Sequence, residues 1–201
     1  MNDLLCLVAD KNMEAVMAEL LKRHVALGTR RIAANVLVHP RRDPGVFREG
    51  VEFVRPFQKD YRHALLLLDA AWEGAPDNIQ EHLDCALHNA GLRDWAAAVV
   101  IVPELEIWVW SNSPHVEQAL GWSGQETTLR AWLEQKGLWA TEDPKPKDPK
   151  TAVERALQQV RKPRSSAIYR ALARNVTVAR CEDSAFQRLR ETLQTWFGSS
   201  R

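Results

Sequence analysis

Apolar residues gather in four short runs along the first half of the chain, and between the runs they recur at helical spacing. Leu4 to Val8 is the first run. Asn12 to His24 follows with Met13, Val16, Met17, Leu20 and Leu21 on one face, as a strand leading into a helix would. Ile32 to Val38 is the second run, closed by His39-Pro40, and Gly45 to Tyr61 then reads as a helix interrupted at Pro56. The third run, Ala64-Leu65-Leu66-Leu67-Leu68, shows no alternation, which fits a strand covered on both faces, and it delivers Asp69 at its carboxyl end. The turn Gly74-Ala75-Pro76-Asp77 opens a helix that reaches Ala90 and is closed by Gly91, and Ala96 to Val102 is the fourth run, ending at Pro103. Strands alternating with helices four times within about 110 residues predict a parallel sheet with right-handed crossovers. In such sheets ligands bind outside the carboxyl ends of the strands, which is where Asp69 stands.

Past the fourth run, Ile107 to Trp110 either extends the strand or begins another element, and Thr127 to Leu138 reads as a short amphipathic helix. Thr141 to Pro149 is rich in proline and lysine and marks a boundary between an α/β core, 1–140, and a helical region, 141–201, packed on it. In that region Thr151 to Val160, Ser166 to Ala173 and Ser184 to Phe197 have helical spacing. Charge divides the chain at nearly the same place. Residues 1–143 carry 14 Lys and Arg against 21 Asp and Glu, a net −7, and residues 144–201 carry 13 against 5, a net +8. A basic tail of this kind either binds nucleic acid or folds onto its own acidic body. Three separated cysteines offer no disulfide framework or zinc spacing. With no secretory leader and no apolar run long enough to span a bilayer, a cytoplasmic protein is expected, with no membrane partner.

Acidic residues supply the candidate chemistry. Asp10 and Glu14 follow the first strand, each readable as a metal ligand or acid/base, or as a helix cap and a first-turn carboxylate. Glu104 and Glu106 stand at alternate positions after the fourth strand, so an extended backbone would project both to one side. With Asp69 they would converge at one sheet edge, and several carboxylate oxygens suit Mg²⁺. His39, Arg41, Arg42 and Asp43 follow the second strand at that edge, where the arginines would contact phosphate or neutralise the acids. Trp108 and Trp110 also alternate, and as a partly exposed strip they would favour a protein partner. No glycine-rich phosphate loop is present.

The order of these pieces resembles the TOPRIM fold as it occurs in the DUF4276 group of bacterial proteins, over nearly the whole chain. Leu5-Cys6-Leu7-Val8-Ala9-Asp10-Lys11-Asn12-Met13-Glu14 looks like the group's strand, Glu-Gly turn and Thr-Glu helix start. Leu66-Leu67-Leu68-Asp69-Ala70-Ala71 looks like its Asp-x-Asp element, and Val102-Pro103-Glu104-Leu105-Glu106-Ile107-Trp108 is similar to its Pro-Glu-x-Glu-x-Trp segment. Asp148-Pro149-Lys150 and Ser184-Ala185-Phe186-Gln187-Arg188-Leu189 are similar to its carboxyl-terminal region.

The resemblance implies a three-layer TOPRIM-like, Rossmann-like parallel sheet with a helical C-terminal region. It also implies a setting in prokaryotic antiviral defence with a protein partner, often a separately encoded ATPase. The group's first glutamate, an acid/base in TOPRIM phosphodiester chemistry, falls on Ala9, and the second aspartate of Asp-x-Asp falls on Ala71. The expectation is therefore a degenerate protein that binds or regulates. The alternative is a Mg²⁺-dependent nuclease using a displaced set, with Asp69, Glu104, Glu106 and Glu14 as catalytic residues and Asp69, Glu104, Glu106 and Asp10 as metal ligands. Either form would contact DNA or RNA through Arg41, Arg42, Arg161, Lys162, Arg164 and Arg170.

Overall fold

The computed structural model describes residues 1–111, 113–176 and 181–198. Strands β1 (Asn2–Val8), β2 (Ala34–Val38), β3 (Tyr61–Asp69) and β4 (Ala96–Ile101) form one parallel sheet in the order β2-β1-β3-β4. They are joined by α1 (Lys11–Leu20) with the one-turn α2 (His24–Leu27), by α3 (Arg42–Val54) with the 3-10 turn Arg55–Lys59, and by α4 (Ile79–Asn89). Beyond β4 come α5 (Pro114–Leu120), α6 (Leu129–Gln135), α7 (Pro149–Gln159), α8 (Ser166–Asn175) and α9 (Ser184–Phe197).

The chain steps outward from β1 to β2, then back past β1 to β3. Right-handed crossovers taken in opposite directions put their helices on opposite faces. Successive strand residues also point to opposite faces, so the β3 contacts reveal the layers. Gly50 of α3 lies against Leu66, whereas Trp196 of α9 stacks on His63 at 4.5 Å between ring centroids. One face is thus covered by α3 and α4, the other by α1 and α9, in a three-layer α/β architecture of Rossmann-like form. Leu4 to Val8 and Ala64 to Leu68 are fully buried, each leucine contributing about 1.5–3 kcal/mol. At Gly50 a Cβ would stand 2.7 Å from Leu66 Cδ2, so α3 accepts a mid-helix glycine, at about 1 kcal/mol in propensity, to sit close on the sheet.

The C-terminal helices are bound to the sheet body by polar as well as apolar contacts. Helix α8 packs on α1, where Arg23 donates to the carbonyls of Ala173 and Val176 at 2.8 and 2.7 Å and Arg174 pairs with Glu19 at 3.3 Å. Helix α7 packs on the segment after β4. Of the two readings open for that segment, a longer strand or another element, the structure takes the second. Glu104 is extended, but Leu105–Trp108 forms a 3-10 turn, because burial of Leu105 and Val109 four residues apart suits a helical turn and not a strand. The indoles of Trp108 and Trp110 are not an outward strip. They line an apolar cleft with Val16, Leu172 and Phe186, and donate to Asp183 and to the Pro149 carbonyl. Helix α5, absent from the sequence expectation, opens on the Ser113 cap with Pro114 at its first position. No helix among the described residues is long and apolar enough to cross a membrane.

Candidate metal centre

Strand order β2-β1-β3-β4 has its topological switch point between β1 and β3, and the crevice outside their carboxyl ends is the place such sheets offer to ligands. The register aligns Val8 with Val38 and Leu67, and Asp69 with Ile101. Asp10, the turn at His39–Asp43, Asp69 and the segment Pro103–Glu106 therefore open on one edge.

Asp69 organises this edge. Its Oδ1 accepts from the Leu105 N–H at 2.8 Å, and its own N–H donates to Asp43 Oδ1 at 2.8 Å. Anchoring Leu105 holds the flanking Glu104 and Glu106, so that Asp69, Glu104 and Glu106 each offer a carboxylate oxygen within 4.8 Å of the others. Both glutamates are buried. Two cations from the C-terminal region reach them. Lys150, in the first turn of α7, donates to Glu104 Oε2 at 3.0 Å. Arg164, between α7 and α8, pairs with Glu106 Oε1, an oxygen that also accepts from the Tyr169 hydroxyl, and reaches Glu154 at 3.1 Å.

Five carboxyl groups, counting Asp10 and Asp43, thus face two cations. Burial raises the Asp69 carboxyl well above its usual range, and the charges of Asp43, Glu106, Asp10 and Glu104 raise it further. Burial likewise raises Asp43. The Glu104–Lys150 pair is one-sided. Lys150 holds its proton more tightly, because the hydrogen bond and charge of Glu104 outweigh burial. Glu104 is nevertheless raised, because burial and the Glu106 charge outweigh Lys150. Burial also pushes the Tyr169 hydroxyl up, so it stays a donor to Glu106.

Other expected residues fall elsewhere. Asp10 faces the cluster but acts as the cap of α1, its Oδ1 accepting from the N–H groups of Asn12 and Met13 at 2.8 and 2.9 Å. Glu14 is not in the cluster; it pairs with Lys11 at 2.8 Å. Arg41 pairs with Glu49, while the Arg42 side chain has no partner among the described residues. Arg164 serves Glu106, and Lys162 donates to the Ala119 carbonyl at 2.7 Å, so both of these cations already have protein partners. The side chains of Arg161 and Arg170 are exposed and unpaired among the described residues. Ala9 is buried at the end of β1, and Ala71 is exposed after β3.

Asp43, which the sequence placed at this edge with His39, Arg41 and Arg42, belongs to the cluster as the acceptor of the Asp69 N–H. Lys150 and Tyr169 carried no local signal, being 46 and 63 residues from the glutamates they touch. No family model, curated protein or solved structure matches this chain.

Oxygen donors are what Mg²⁺ takes, and one oxygen each of Asp69, Glu104 and Glu106 has no protein partner among the described residues. The donor set and the excess of acid over base fit a divalent cation held by these three residues. A cation there would offer positive charge to phosphate oxygens.

Proposed function

We propose that the chain is a degenerate TOPRIM-like protein, cytoplasmic, that no longer cleaves nucleic acid and serves as a binding or regulatory subunit beside a protein partner in prokaryotic antiviral defence. One observation carries the loss of catalysis: the two glutamates beside Asp69 are each bonded by a cation of the same chain, Lys150 and Arg164. Internal cations there satisfy part of the charge that a catalytic metal would otherwise satisfy, and Ala9 and Ala71 add no carboxylate at the positions where the resemblance asks for one. The defence setting and the ATPase partner rest on the resemblance alone.

A second reading is favoured by the three unpartnered carboxylate oxygens. In it the chain is a Mg²⁺-dependent nuclease using Asp69, Glu104 and Glu106. Incubating the purified chain with plasmid, single-stranded DNA and RNA in Mg²⁺ or Mn²⁺ separates the two. The proposal expects no cleavage above that of Asp69→Asn. Cleavage that Asp69→Asn abolishes would replace it with the second reading.

A further inference from the structure

The two edges of the sheet are finished differently. At β4 the Ala96 N–H donates to the Leu92 carbonyl at 2.7 Å. The Ala98 carbonyl accepts from Gln80 Nε2 at 3.1 Å and Arg188 Nε at 2.9 Å, and the Val100 N–H donates to Gln80 Oε1 at 3.0 Å. Side chains thus close an edge that would otherwise pair with another chain. At β2 no described residue does so. Flanking residues bond inward: the Ala33 carbonyl accepts from Asp3 and Leu4, and the His39 N–H donates to the Val8 carbonyl. Strand alternation then turns the N–H and C=O groups of Ala34, Val36 and Val38 outward, and no described residue bonds to them. No proline or charge interrupts Ala34–Val38.

Beside this open edge runs a groove of about 870 Å³ between β2 and α1, lined by Ala15, Ala18, Leu21 and Val36. Of the charged residues that line it, Glu14 and Lys22 are paired, with Lys11 and Glu19, whereas the side chains of Arg31 and Arg170 have no partner among the described residues. A strand edge beside a helix is where an extended peptide adds as a further strand, its backbone supplying affinity and its alternate side chains filling the groove. Two unpaired arginines select for acidic residues on that peptide. A second copy is disfavoured, because the strand it would add, Ala34–Val38, carries no carboxylate to meet Arg31 and Arg170.

We infer that the β2 edge docks an extended acidic segment of a partner protein, which adds as a fifth strand on Ala34, Val36 and Val38 with its carboxylates on Arg31 and Arg170. The inference gives the partner of the proposed function a surface, but it stands on the strand edge and not on the acidic cluster, so nuclease activity would leave it intact. A displayed library of random peptides, selected on the full chain, tests it, with enriched peptides synthesised and titrated by fluorescence anisotropy. Enriched sequences should alternate β-branched or aromatic residues and carry Asp or Glu. Their affinity should fall at least about tenfold on Arg31→Glu/Arg170→Glu, since reversed charge opposes the encounter. Val36→Pro, which deletes one outward N–H at an edge position that accepts proline, should weaken binding as much, as should N-methylation of alternate peptide amides. Circular dichroism verifies that each variant is folded; if Val36→Pro is not, the charge variant and the methylated peptides decide. The inference is overturned by no enrichment, by enriched peptides without acids, by equal binding to the charge variant, by displacement of the peptide with a DNA duplex, or by a dimer in solution that Val36→Pro dissolves.

Discussion

Asp69 stands among four other carboxyl groups with one hydrogen bond to its side chain, from Leu105. Its folded-state pKa lies above the unfolded value, so the native state binds the proton more tightly. Stability from this group is fully present below the unfolded pKa and is lost as pH rises through the folded one. Asp69→Asn keeps an acceptor for the Leu105 N–H and removes the charge. In the presence of a chelator it should be more stable than wild type by about 1–3 kcal/mol at neutral pH, the scale of an unsatisfied buried polar group. For a chain of this size that is about 2–4 °C in Tm per kcal/mol. Thermal unfolding followed as the pH is lowered should show the gap closing, because the folded state takes up the Asp69 proton before the unfolded state does. A variant no more stable than wild type at neutral pH would mean that the carboxylate is satisfied.

At the scale of elements, the passage from β2 into α3 determines where Asp43 sits. Arg42 adopts a left-handed φ of 49°, which lets the chain turn at once from strand to helix and lays Asp43 over the Asp69 N–H. His39, 2% exposed, fills the space under the turn, and only glycine fits above it. A Cβ on Gly45 would stand 2.1 Å from His39 Nδ1 and 2.7 Å from Arg41 Cβ. Gly45→Ala should therefore destabilise the chain by about 1–3 kcal/mol, as overpacking does. Denaturant titration checks it, and an unchanged midpoint would show that the turn has room to yield. The spacing of apolar residues made α3 legible, but not this turn, since left-handed backbone at an arginine has no sequence signature.

Across the whole molecule, the opposed charges of 1–143 and 144–201 meet: Lys150 on Glu104, Arg164 on Glu106, Arg174 on Glu19 and Arg188 on Asp84. Among these, Glu106 is the most deeply set, its side chain 3% exposed, so losing Arg164 leaves a buried anion whose one hydrogen-bond partner among the described residues is Tyr169. Arg164→Met should cost about 3 kcal/mol, because breaking a buried pair strands the surviving charge. Wild type and variant should each unfold in urea in one transition, the variant at a lower midpoint. Two separate transitions would show that 141–201 folds apart from the sheet, and an unmoved midpoint would show that the Arg164–Glu106 pair does not tie them together.

Periodicity alone determined the four strands, the three helices that connect them and the parallel direction of the strands, because burial on both faces writes an uninterrupted apolar run and burial on one face writes helical spacing. It also placed Asp69, Glu104 and Glu106 at strand ends, since that position follows from chain order. The tertiary structure decided which charges those acids meet. Lys150, Arg164 and Tyr169 come to the edge from segments far apart in sequence from the acids they meet, and a contact between distant residues leaves no local pattern, because its energy depends on where the packed helices bring each side chain and on how much water they exclude there.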